Sequence, residues 1–144
     1  MRIAPTGANG FVGQALLKLL LDRGHAVTAI VRRPWEGADP RAALRQVRSL
    51  DDNEDWRGWL AGHDVVVHAA ARVHVMREQA ADPLEVFRST NVRGTLKLAR
   101  EAADAGVRRF VFLRSAKVHG ACTGPGQYLH ASDVLRPDDP YSIS

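Results

Sequence analysis

The residues best suited to chemistry sit near the start of the chain, at Thr6-Gly7-Ala8-Asn9-Gly10-Phe11-Val12-Gly13, with glycine at every third position from Gly7. In such a loop Gly7 permits a sharp turn, Gly10 lets the backbone approach a pyrophosphate that a Cβ would hold off, and Gly13 lets a following helix lie against a sheet. The pyrophosphate of a dinucleotide would rest on the open N–H groups and positive end of that helix. Arg32, with Arg33 beside it, follows Gly13 near the ~20-residue spacing at which an acidic residue selects an unmodified ribose. Arginine there suits a 2′-phosphate and favours NADP over NAD. The histidines show no metal-ligand spacing, so no metal is expected. His25, His63 and His130 read as surface, His68 as strand interior, and His74 and His119 as lining a site at most. No G-x-S-x-G elbow surrounds Ser115, which argues against a hydrolase triad.

These residues need a frame. Met1 to Ala4 is a short apolar run that feeds the glycine loop, and Phe11 to Leu21 is an apolar helical segment with Gly24 placed as its cap. Ala26 to Val31 is an unbroken β-prone run, as in a strand buried on both faces of a parallel sheet. Arg41 to Val47 is ambiguous between a short helix and a third strand, and Asn53 to Leu60 reads as a short helix. Asp64 to Ala69 is a strand that ends in Ala69-Ala70-Ala71, small residues that allow close approach. Asp82-Pro83-Leu84-Glu85 opens a helix with a capping oxygen, and that helix is expected to run to Ala105. Arg109 to Leu113 is the next strand, and Asp139-Pro140-Tyr141 begins another helix. Repeated βα units with right-handed crossovers give an α/β, doubly wound parallel sheet in strand order 3-2-1-4-5. The glycine loop, Ala69 to Ala71 and Ser115 then share its C-terminal edge, where such sheets bind ligands.

Composition sets the outer limits. The chain has 144 residues, a formal charge of +4 and a single cysteine, Cys122. That length suits one domain. A lone cysteine forms no disulfide within the chain, and the expected location is intracellular and cytoplasmic. No apolar run reaches the ~18 residues of a membrane span, and Met1 leads into a strand rather than a signal peptide. The arginines are scattered rather than clustered with stacking aromatics, so a small polyanion fits better than nucleic acid.

By its motifs the sequence resembles the NAD-dependent epimerase/dehydratase family, the extended short-chain dehydrogenases with a Rossmann-like cofactor domain. The matching stretches are the glycine loop, Asp64-Val65-Val66-Val67-His68-Ala69-Ala70-Ala71, Asn91-Val92-Arg93-Gly94-Thr95 and Ser115-Ala116-Lys117-Val118-His119-Gly120. Ala71-Arg72-Val73-His74-Val75-Met76 points to the UDP-glucose 4-epimerase-like branch. The resemblance implies hydride exchange between a nicotinamide and a sugar carbon. It implies cofactor contacts from Gly7, Asn9, Gly10, Phe11, Val12, Gly13, Arg32, Ala69, Ala70, Ala71 and Asn91. It also implies catalytic roles for Ser115 and Tyr141 on the sugar hydroxyl.

In the family a lysine four residues after the tyrosine binds the ribose and lowers the tyrosine pKa. The sequence closes at Ser144, before that position. A free tyrosine of pKa ~10 is only about 0.1% ionised at neutral pH, so a chain of this length is expected to be the cofactor-binding part of an epimerase, inactive alone. The alternatives are a non-catalytic dinucleotide module and a non-functional relic. A UDP-sugar would bind only with the remaining sugar-nucleotide domain supplied. Pro5 in the central strand, Arg114 where the family has a small residue, and Ser49 where it places an acid are departures that point the same way. A sheet reduced to about five strands leaves strand 5 as an open edge prone to self-association. The Pro83–Ala105 helix is the expected homodimer surface.

Overall fold

The computed structural model describes residues 1–51, 53–73, 82–120 and 122–144. Its centre is β1 (Arg2–Thr6), whose residues from Ile3 onward are all buried. The chain turns through the glycine loop into α1 (Phe11–Asp22), and Gly24 at φ +75° takes it back to β2 (Ala26–Val31). The ambiguous segment resolves as β3 (Ala43–Gln46), because its backbone pairs in parallel with β2 from Thr28–Ala43 to Val31–Gln46. Of the helix expected over residues 53–60 only α2 (Arg57–Leu60) forms. The carboxylates of Asp51, Glu54 and Asp55 bond to nearby backbone N–H groups, and these local bonds compete with helix.

β4 (Val65–His68) pairs with β1 on one side and with β5 (Arg109–Phe112) on the other. All five strands are parallel, in order β3-β2-β1-β4-β5. Between β4 and β5 runs one continuous helical stretch in three parts: α3 (Pro83–Arg88), a π-helical turn (Ser89–Gly94) and α4 (Thr95–Asp104). Asp82 caps it as expected, accepting from the Glu85 N–H at 3.0 Å. The π-turn was not expected, since hydrophobic spacing does not register one extra residue in a turn. It brings Gly94 so close to Leu50 that a Cβ would lie 1.9 Å from the Leu50 carbonyl oxygen. A short 3₁₀ turn (Ala116–His119) and α5 (Pro140–Ile143) complete the chain.

The central strands are covered on both faces. Leu17 and Leu21 of α1 pack with Val27, Ala29 and Val31 on one side. On the other, Trp56, Leu60, Leu98 and Ala102 pack on Ala4, Ile30 and Val66. One expectation fails: His63 is buried rather than on the surface. Its ring is held by Thr28 Oγ1 at 2.8 Å and by the Leu60 carbonyl, which replace the water it gives up. His74 and the stretch through Met76 lie outside the described residues.

Candidate functional site

The loop between β1 and α1 is built by its glycines. Gly7 has φ +67°, and a Cβ there would fall 2.9 Å from Ala70 Cα. A Cβ on Gly13 would lie 2.0 Å from the Gly7 carbonyl oxygen, so the first turn of α1 rests directly on the loop. Gly10 precedes α1 in extended backbone and supplies no capping side chain, and no acid lies in the first turn. The leading amides of α1 thus meet no side-chain oxygen or carboxylate of their own, the arrangement that favours a bound anion.

These amides open into a cleft of about 660 Å³ along the C-terminal edge of the sheet. It brings together Gly7, Asn9, Gly10, Phe11, Val12 and Gly13 from the loop with Arg32 and Arg33 from the end of β2. Ala69, Ala70, Ala71, Arg114, Ser115 and Tyr141 also line it. Residues over a hundred positions apart therefore share one space, positioned by four parallel strand ends.

Asn91 stands apart from that cleft. It lies in the π-turn, lines an adjoining apolar cavity of about 250 Å³, and turns its amide toward the chain leaving β4. Arg72 N–H donates to Asn91 Oδ1 at 2.8 Å, and Asn91 Nδ2 donates to the Arg72 carbonyl at 3.2 Å and to Ser144 Oγ at 2.9 Å. Ser115 Oγ accepts from the Lys117 N–H at 3.2 Å, which leaves the Ser115 proton to donate elsewhere. Tyr141 borders both cavities and stands against Phe87, ring centroids 6.2 Å apart. It is set by Asp139, whose carboxylate accepts from the Ser142 N–H at 2.7 Å in a capping box. Lys117 Nζ is ion-paired with that same Asp139. The pairing holds the Asp139 carboxyl down to about 2 and pushes the Lys117 ammonium up.

Sequence reasoning missed a buried polar chain beneath the cleft. His68 is 3% exposed; its Nδ1 lies 2.7 Å from Thr6 Oγ1 and its Nε2 lies 3.0 Å from Thr95 Oγ1. Burial pushes its pKa down to about 4, so the ring is neutral. A histidine ending an otherwise apolar strand was the available signal. Ser49, in place of the expected acid, donates to Asp51 at 2.7 Å, and both line a neighbouring recess with Arg32.

Comparison with known proteins agrees with this architecture. The family model for the NAD dependent epimerase/dehydratase family matches residues 4–144. UDP-glucose 4-epimerase of Vibrio cholerae is 39% identical over 140 residues, which cover 96% of this chain and 42% of that protein. A short-chain dehydrogenase/reductase superfamily protein from Agrobacterium tumefaciens, solved with bound NAD, superposes with a TM-score of 0.82 at 28% identity, covering 99% of this chain and 41% of that one. MoeE5, solved with UDP-glucuronic acid and NAD, gives 0.79 at 30% identity, covering 99% and 45%. The chain spans less than half the length of each of these relatives. With its glycine loop, strand order and family match over nearly every residue, the chain belongs to the NAD-dependent epimerase/dehydratase family.

Proposed function

We propose that residues 1–144 form the cofactor-binding part of an NAD(P)-dependent nucleotide-sugar epimerase of the UDP-glucose 4-epimerase type. The observation that carries this reading is the single cleft in which the glycine loop, the Ala69–Ala71 strand end, Ser115 and Tyr141 meet. Its chemistry fits a dinucleotide. The first-turn amides of α1 receive the pyrophosphate, and the small alanines leave room beside it. Arg32 and Arg33 receive a 2′-phosphate, so NADP is favoured, although the solved relatives named above hold NAD.

A bound nicotinamide supplies the hydride acceptor and donor. The chain's own part is proton handling and positioning at the sugar hydroxyl. Ser115 donates its free proton to that oxygen, and Tyr141 exchanges the hydroxyl proton. Lys117 is held in an ion pair with Asp139. On this reading the 144-residue chain binds dinucleotide and does not turn over a UDP-sugar unaided.

Titration of the purified chain with NADPH and NADH, followed by nicotinamide fluorescence, tests this. Saturable binding with NADPH the tighter is expected. Arg32→Glu should weaken NADPH by about tenfold or more, the scale of one lost charge-assisted contact, and spare NADH. Absence of saturable binding by either dinucleotide would overturn the reading. Conversion of UDP-glucose by the chain alone would refute the claim of dependence on further sequence.

A further inference from the structure

We propose that His68 is a positioning residue: the chain Thr6–His68–Thr95 fixes the spacing between the ends of β1 and β4 at the wall of the cleft and anchors both to α4. The inference rests on the dinucleotide reading given above, because it concerns the shape of that site. It starts from three contacts. The Ala70 N–H donates to Thr6 Oγ1 at 3.4 Å, Thr6 Oγ1 meets His68 Nδ1 at 2.7 Å, and His68 Nε2 meets Thr95 Oγ1 at 3.0 Å.

Hydrogen-bond counting selects the tautomer. Thr6 is fully buried, and its oxygen already accepts from Ala70. If Nδ1 carried the proton, Thr6 would accept twice and its own buried hydroxyl proton would have no acceptor. With the proton on Nε2, Thr6 donates to Nδ1 and His68 donates to Thr95, so the buried Thr6 hydroxyl and the imidazole N–H both have acceptors. The polarity then runs one way, from the Ala70 amide through Thr6 and His68 to the first residue of α4. Phe112 stacks on the imidazole at 5.8 Å and an interplanar angle of 20°, which fixes the ring plane.

The far end of this chain matters to the cleft. Ala70 is the residue a Cβ on Gly7 would strike, so the glycine loop and the strand end are packed backbone to backbone there. Two residues further on, Arg72 is held at both its N–H and its carbonyl by Asn91 from the π-turn. Thr95 directly follows that turn. The segment leaving β4 is thus tied to one helix at two points, through His68 at Ala70 and through Asn91 at Arg72. A small rotation of Ala70 would shift the wall that a bound dinucleotide must pass.

Thr95→Val removes the last acceptor while keeping the shape, and Thr95→Ser restores it. The expected result is a dinucleotide Kd raised roughly tenfold in Thr95→Val and restored in Thr95→Ser. Long-range ¹H–¹⁵N correlation should show the Nε2–H tautomer in the unsubstituted chain and a mixture in Thr95→Val. Amide exchange at Ala70 should accelerate in Thr95→Val alone. Unchanged affinity in a Thr95→Val chain that remains folded, or a dominant Nδ1–H tautomer in the unsubstituted chain, would overturn the inference. If the unsubstituted chain binds no dinucleotide, the functional reading fails on its own, and the tautomer with Ala70 exchange still decides whether the chain positions the strand ends.

Discussion

At the scale of single residues, His68 makes the stability of the fold depend on pH between about 6.5 and 4. Its pKa is pushed from the ordinary 6.5 down to about 4 by burial. Above the ordinary value both folded and unfolded chains hold a neutral imidazole, and the fold keeps its full stability. As pH falls from 6.5 toward 4, only the unfolded chain takes up the proton, and stability is lost, on the order of 3 kcal/mol in total. Below that window both states are protonated at this site and its contribution is flat. His63, also lowered by burial, acts in the same direction. Thermal unfolding between about pH 7 and pH 4.5 should show a falling midpoint, and His68→Gln should remove most of the slope. An equal slope in the variant would assign the effect elsewhere. The role of His68 was hidden in the sequence because Thr6 and Thr95 are far from it along the chain. The glycine positions were legible because their constraint belongs to the local backbone.

At the scale of elements, Pro5 is the exception in a well-made strand. It sits in the buried middle of the sheet, where proline is ordinarily confined to strand ends and edges. The Gly7 N–H bonds to the Ile30 carbonyl, and amides alternate in direction along a strand, so the nitrogen of Pro5 faces β2 near Thr28. The β1–β2 pairing passes over it, from Ile3–Val27 to Thr6–Ile30. Pro5→Val supplies the missing donor and should raise stability by about 1 kcal/mol, after the loss of proline's restraint on the unfolded chain is offset. A denaturation midpoint that stays the same or falls would show that Thr28 needs no donor from this position. Four of the five strands were legible here as continuous apolar runs, whereas the exposed β3 was ambiguous. The π-turn was not legible, because hydrophobic spacing does not register one extra residue in a turn, and α2 is shorter than expected because local carboxylate–backbone bonds compete with helix.

At the scale of the molecule, β3 and β5 are the two edges of the sheet among the described residues, and β5 is the more apolar of them. Val111, Phe112 and Leu113 are exposed, and Leu96, which shares a cavity with Phe112 and Leu113, is exposed beside them. An uncovered apolar edge invites strand pairing between copies. Sedimentation velocity of the 144-residue chain should show association that grows with concentration, and Val111→Lys should reduce it severalfold. A monomer at all concentrations would contradict this. Strand order and the position of the cleft could be read in advance, since crossover handedness leaves few topologies. The substrate half of the chemistry could not, because the chain spans less than half of its relatives.

The Lys117–Asp139 pair has a consequence for how such a fold can vary. Together with the Arg136 N–H donating to the Val118 carbonyl at 2.8 Å, it closes the base of the segment between the 3₁₀ turn and α5. Everything from Cys122 to Asp138 is exposed. The stem holds Ser115 and Tyr141 at either foot, while the arch above it carries little of the core. Doubling the arch costs only about 0.6 kcal/mol in closure entropy. New recognition sequence can therefore be grafted there without re-registering the residues below.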